Sequence, residues 1–256
     1  MSTDFSDQTA FMARFDWGRD GLRALVPQAA VVVIIDVMSF TTAVSVAVEQ
    51  GAAVFPNRWA DATAQERARE LNALLAVHRQ SVSPESPYSL SPATLQSLPA
   101  GAKLVLPSPN GSTLTVIATE HDCTVVAGCL RNASAIGRFC SEVDGPIAVI
   151  AGGEQWGDDS GGSLRPAFED LMGAGAILAA INGKRHSPEA LAAIGAFSAC
   201  HASLETLLAE CASGRELAER GFPEDVTIAA ALDVSNHVPV LIDGAYRSNA
   251  RSRSLS

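Results

Sequence analysis

Aromatic side chains make up only 5% of this 256-residue chain and charged ones only 18%, against 47% hydrophobic residues. So little charge on so apolar a chain excludes an intrinsically disordered protein and requires a sizeable core. With few rings available, that core has to be filled by Ala, Val, Leu and Ile, which suits close packing of helices on a sheet. Positive charge is also scarce. Eighteen basic against 28 acidic side chains leave a net charge of −10, and the basic stripe of a nucleic-acid binder is missing. The five cysteines, at 123, 129, 140, 200 and 211, form no CxxC pair and are odd in number. A disulfide framework and a zinc knuckle are thereby disfavoured, and reduced thiols in a cytoplasmic protein are expected. Long apolar runs are absent too: the most apolar stretch, residues 29–35, falls far short of the ~20 residues that span a bilayer. The N-terminal segment carries acids early and no apolar signal core, so neither membrane insertion nor secretion is expected.

The apolar residues that are present occur in short continuous runs, the mark of strands covered on both faces. Residues 31–35, 103–106, 124–127 and 147–150 are the clearest, with 52–55 weaker and 238–242 near the end. Helical spacing is read over 41–50, 61–77, 112–119, 132–140 and 167–181, and again over 188–198, 203–211, 215–220 and 224–232. Strand alternating with helix predicts an α/β fold, a three-layer α/β/α arrangement on a mostly parallel or mixed sheet, with a helix-rich C-terminal part. The expected division is an α/β domain over 1–183 and a helix-rich extension over 184–256, either packed into the same domain or separate from it. Residues 81–92, rich in Pro and Ser, read as a surface loop. The polar tail 247–256 reads as frayed.

In open parallel sheets ligands bind outside the carboxyl ends of the strands. Four predicted strand ends here run into small and polar residues followed by a helix. They supply Asp36 with Thr41 and Thr42; Asn110, Gly111 and Ser112; Arg131 and Asn132; and the glycine-rich segment that contains Glu154. Amides exposed at such helix starts are ready partners for an anion such as phosphate. Glu169 and Asp170 open a further helix, where acids are favoured by the dipole in any case. The five histidines share no ligand spacing. A histidine-rich transition-metal site is therefore not expected; a metal, if used, would be held by carboxylates and water, which suit Mg²⁺ best. Two phosphatase or hydrolase templates place an Asp after the first strand, as Asp36 stands here. The DxDxT of haloacid-dehalogenase phosphatases fails, because Asp36-Val37-Met38 lacks the second Asp. A cysteine hydrolase of the isochorismatase type would use Asp36, Lys103 and Cys129, the thiol being acidified at a helix start.

Several segments together resemble the 2-phosphosulfolactate phosphatase (ComB-like) family. Its D-V-L-R-A-T-T stands here as Asp36-Val37-Met38-Ser39-Phe40-Thr41-Thr42, and its T-T-N-G-T as Ser108-Pro109-Asn110-Gly111-Ser112. Its G-S-x-x-N-A is similar to residues 128–133, its E-D-x-x-x-A-G-A helix to residues 169–176, and its S-x-x-x-L-x-x-x-G-F-x-x-D-V to residues 213–226. The resemblance implies Mg²⁺-dependent hydrolysis of a small phosphorylated acid. Asp36, Glu169 and Asp170 would be the catalytic and metal residues. Thr41, Thr42, Asn110, Gly111, Ser112, Asn132 and Arg131 would bind substrate. Departures fall in the expected site. The family Arg becomes Ser39, the T-T before N-G becomes Ser108-Pro109, and residues 78–92 keep only an S-P of an F-D-x-G-N-S-P segment. They imply an altered substrate, with Arg131, Arg58 or Arg165 as substitute cations. The competing readings are a non-catalytic relative that binds a small anion or a protein partner, and the cysteine hydrolase. The alanine-rich, apolar composition permits a homodimer.

Overall fold

The computed structural model describes residues 5–157 and 162–249. Nine strands form one sheet in the order β1-β7-β2-β6-β10-β11-β3-β5-β4, where β1 is Ala13–Trp17, β2 Val31–Ile35, β3 Ala53–Asn57, β4 Leu74–Leu75, β5 Lys103–Pro107, β6 Thr124–Gly128, β7 Ile147–Ala151, β10 Pro239–Ile242 and β11 Ala245–Ser248. Strands β8 (Glu154–Gln155) and β9 (Leu164–Arg165) pair separately as a small antiparallel ribbon. The sheet has two parallel blocks. In the first, β1, β7, β2 and β6 pair in register over five residues each; in the second, β3 pairs with β5 over five residues and β4 with β5 over two. The β10–β11 hairpin joins them by antiparallel pairing, through Val240 opposite Val126 and Tyr246 opposite Val54. β2 and β7 are buried along their whole length, which is why they read as unbroken apolar runs rather than alternating ones.

Helices cover both faces, giving the three layers expected from the sequence. They are α1 (Gly18–Leu25), α2 (Phe40–Glu49), α3 (Ala62–Leu71), α4 (Pro92–Leu95), α5 (Gly111–Ala118), α6 (Ala133–Glu142), α7 (Phe168–Ala179), α8 (Pro188–Cys200), α9 (Leu204–Glu210), α10 (Ala212–Glu219) and α11 (Pro223–Ala230). Two large apolar clusters lie on opposite faces. One centres on β2, β7, α6 and α7. The other centres on α2, β5 and Tyr246.

Several elements differ from the sequence expectation. The helix read over 61–77 stops at Leu71, because Asn72 takes the left-handed conformation and ends it; that leaves residues 74–75 free to pair with β5. β1 and α1 were not foreseen, since Arg14 and Asp16 interrupt the apolar run. The first residues of the expected frayed tail belong to β11, and the remainder of the tail, 250–256, lies outside the described residues. Residues 184–249 are built into the same sheet through β10 and β11. The expectation that nothing is long and apolar enough to cross a membrane is also corrected. The continuous helical run Pro188–Glu210 has 23 residues and a mean hydropathy of 1.4. Its Ala190, Ala193, Leu204 and Leu208 are buried in the first cluster.

The scarcity of rings shows in the helix contacts. A Cβ added at Gly175 of α7 would lie 2.3 Å from the Ala193 carbonyl oxygen of α8, and one at Gly137 of α6 would lie 2.3 Å from the Ala180 Cβ. These backbones touch because no side chain intervenes. Gly175→Ala should therefore destabilise the fold by about 1–3 kcal/mol through overpacking. Gly195→Ala in α8, where an added Cβ meets nothing within 4 Å, should stabilise it by roughly 0.5–1 kcal/mol through helix propensity. Denaturant unfolding of the two variants reads opposite signs if the packing is as described.

Candidate active site

Three of the four strand ends read from the sequence converge. After β2 the chain turns at Asp36 into α2. The Oδ1 of Asp36 accepts from the Phe40 amide at 3.2 Å, and its Oδ2 accepts from the Gly111 amide at 2.8 Å. Phe40 and Gly111 open α2 and α5, so one buried carboxylate caps two helices and meets the positive end of both dipoles. Asp170, in the first turn of α7, ties the loop after β2 to the loop after β7. Its Oδ1 accepts from the Val37 amide at 2.7 Å and its Oδ2 from the Gly153 amide at 2.8 Å. Gly111 has to be glycine here, because a Cβ would lie 2.2 Å from the Phe40 ring and 2.9 Å from Asp36 Oδ2. The two aspartates are close: a Cβ at Gly152 would sit 3.6 Å from Asp170 Oδ2 and 3.7 Å from Asp36 Cβ.

Glu169 and Glu154 complete a group of four carboxylates. Burial raises the pKa of Asp36 above the usual carboxylate range, the amides of Gly111 and Phe40 oppose that shift, and Glu169 adds to it. Burial also drives Asp170 well above the usual carboxylate range, reinforced by Glu169 and Asp36. Glu154 is pushed up to about 7 by burial and by repulsion from Asp36 and Glu169, with the Asn110 amide and Arg165 acting the other way. Glu154 lines a cleft of about 370 Å³, together with Asn110, Gly153, Arg19, Arg23 and Trp17. Asn110 Nδ2 donates to Glu154 Oε2 at 3.2 Å and to the Gly153 carbonyl at 3.3 Å, which ties the β5 and β7 ends across the cleft.

The other sequence candidates lie elsewhere or serve the backbone. Thr41 Oγ1 accepts from the Asp36 amide and donates to its carbonyl, closing the turn. Ser112 Oγ donates to the Leu106 carbonyl at 3.3 Å. Thr42 faces the buried Cys129 thiol, and its hydroxyl has no hydrogen bond that meets normal geometry. Asn132 Oδ1 accepts from the Cys129 amide at 2.9 Å, while its Nδ2 reaches the carbonyls of Ala127 and His237. Arg131 pairs with Glu49 at 2.9 Å, and Arg165 lies over the Trp156 ring. The cation beside Ser39 is Arg79. It donates to Ser39 Oγ through Nη2 and to Asp225 Oδ2 through Nε at 3.1 Å. Arg79 stands just before the Ser- and Pro-rich stretch 81–92, forty residues from Ser39 in sequence, with no local pattern that marks it, and only the fold closes that distance.

The cysteine-hydrolase constellation is not assembled. Cys129 is fully buried, and burial raises its thiol pKa, the reverse of the acidification expected at a helix start. Lys103 begins β5, where its Nζ donates to the Leu71 carbonyl at 3.0 Å.

The repulsion on Glu154 has a consequence for stability. A carboxyl whose folded pKa is raised from 4.5 to about 7 holds its proton more tightly in the native state. Its contribution is present below pH 4.5 and is lost as pH rises through 7. Wild type should therefore lose up to about 3 kcal/mol relative to Glu154→Gln between pH 4.5 and 7.5 in metal-free buffer. Parallel urea titrations across that range check it, and parallel pH curves for the two proteins would refute it.

The sequence profile of the 2-phosphosulpholactate phosphatase family matches residues 22–244. A probable 2-phosphosulfolactate phosphatase of Pseudothermotoga lettingae is 26% identical over 227 residues, covering 88% of this chain and 95% of that protein. Another, from Caldanaerobacter subterraneus subsp. tengcongensis, is 26% identical over 233 residues, covering 85% of this chain and 90% of its own length. With the profile spanning the chain from β2 to β10, the helix-rich part included, the chain belongs to the 2-phosphosulpholactate phosphatase family.

Proposed function

We propose that this protein is a phosphatase that hydrolyses a small phosphorylated acid, with Mg²⁺ as its cofactor and a substrate changed from that of its relatives. One observation carries the reading: Asn110 holds Glu154 at the cleft, with Arg19 and Arg23 on the same wall, and burial, reinforced by Asp36 and Glu169, pushes the Glu154 carboxyl up to about 7. A carboxylate poised at neutral pH is a suitable acceptor for the proton of an attacking water. The two arginines supply positive charge where a phosphate would enter. Their freedom differs, since Arg23 is engaged with Asp20 at 3.2 Å. Asn110 holds Glu154 at the cleft and keeps a fixed hydrogen-bonding edge toward it.

The donor set suits a hard cation. It is oxygen-only, buried and anionic beyond what the nearby bases offset. Among the described residues no three His, Cys, Asp or Glu side chains are grouped so that together they could hold a metal ion, and Mg²⁺ does not require three, because it keeps waters and takes one or two carboxylates plus substrate oxygens. Asp36 and Glu169 are the side chains that would hold it. When bound, it would polarise phosphate oxygens and offset the carboxylate charge.

Phosphate release from a panel of small phosphate esters, with Mg²⁺ and then with EDTA, tests the reading. At least one ester should be turned over with Mg²⁺ and not with EDTA. Glu154→Gln should lower kcat about 10²-fold or more with little change in KM. Full activity in both Asp36→Asn and Glu169→Gln would sink the assignment. Silence of the folded protein toward every ester would favour a non-catalytic relative that binds a small anion.

A further inference from the structure

A second cavity lies on the other side of the Ser108–Pro109 turn. It measures about 230 Å³ and is bounded by Arg58, Trp59, His78, Arg79, Leu90 and Pro107, with no acidic side chain on its wall. In a protein of net charge −10, such a wall is a local exception. Its two arginines differ in kind. Arg79 is immobilised: Asp225, which also accepts from Ser91 Oγ, holds its Nε, Ser39 holds its Nη2, and the guanidinium lies 5.7 Å over the Phe222 ring. Its Nη1 group has no partner in this network and is free to meet an anion. Arg58 is exposed and takes part in no ion pair among the described residues. Apart from His78 and Ser108, the rest of the wall is apolar, and Trp59 remains 45% exposed, an unusual position for so large a ring.

Two features tie this cavity to the carboxylate site. Ser39, which Arg79 reaches, lies three residues beyond Asp36, and Pro109 lies two residues before Gly111, whose amide Asp36 holds. We propose that the cavity is a subsite for the carboxylate and apolar body of an aromatic or branched aliphatic acid, and that this body is the non-phosphate end of the substrate. The guanidinium of Arg79, seconded by Arg58, would pair with the carboxylate, while Trp59, Leu90 and Pro107 enclose the apolar part. A sulfonated acid, carrying a second strongly hydrated charge, has no use for that apolar wall. The substrate assignment rests on the phosphatase reading; the subsite itself does not.

The experiment separates the two. Binding of 3-phenyllactate and of 3-sulfolactate to the metal-free protein is followed by calorimetry and by tryptophan fluorescence. 3-Phenyllactate should bind about tenfold more tightly or better. Trp59→Ala and Arg58→Gln, both surface changes, should each weaken it about tenfold without moving the thermal midpoint. No saturable binding by about 10 mM, tighter binding of 3-sulfolactate, or wild-type affinity in both variants would overturn the subsite. Hydrolysis of 2-phospho-3-phenyllactate with Mg²⁺ is then measured. Binding of the acid with no hydrolysis of its phosphate ester overturns the substrate assignment and leaves the subsite standing.

Discussion

Two buried carboxylates, Asp36 and Asp170, accept four backbone amides from the loops that follow β2, β5 and β7. These loops leave their strands with unpaired N–H groups in a dry environment, and each such group left unsatisfied costs about 1–3 kcal/mol. An ionised carboxylate is the strongest acceptor a side chain can offer, and each aspartate meets two amides at once. The loops are thereby fastened to one another across the sheet. The glycine at position 111 follows from this, since the carboxylate and the Phe40 ring occupy the space a Cβ would take. So does the site, because fastening the loops brings Glu154 and Glu169 into the field of the two aspartates.

That field makes the carboxylate cluster costly when it is fully ionised. Burial and mutual repulsion raise Asp36, Asp170 and Glu154 together, and the helix-start amides recover only part of the cost. The positive charge is kept apart from it. Arg131 is spent on Glu49, and Arg79 on Asp225 and Ser39, while Arg19 and Arg23 stand at the cleft wall. An acidic protein that handles an anion has to arrange its few cations in this local way, because its long-range field repels the ligand.

The C-terminal segment decides whether the two parallel blocks form one sheet. β10 and β11 pair with β6 and β3 through one residue each, and Tyr246 secures the join. Its ring packs edge-on against Phe40, the first residue of α2, and its hydroxyl lies 2.7 Å from Thr115 Oγ1 of α5. Asp36 caps the first residue of both helices, so the far end of the chain supports the turn that holds the site. The low aromatic content gives such a residue more weight, since helices elsewhere meet through glycine and alanine.

Six of the strands (β2, β3, β5, β6, β7 and β10), most of the helices and the α/β class could be read from the sequence, because a segment buried on both faces must be continuously apolar and the helices between keep their own period. Asp36 and Gly111 were legible too, as polar residues placed where strands end. Three things were not. Asn72 stops a helix whose apolar spacing continues, since a single left-handed residue leaves no periodic trace. Thr42, Arg131 and Asn132 sit at helix starts, as read, yet turn toward Cys129, Glu49 and the β6 end, because the fourth strand end is closed by its own hydrogen bonds. Arg79 reaches Ser39 from forty residues away, and Asp225 holds it from the last helix. Local pattern is set by which residues must be buried, and the sequence carries that by itself. The choice of partner for each charge depends on distances that exist only after both sheet blocks have been joined, and the tertiary structure alone decided it.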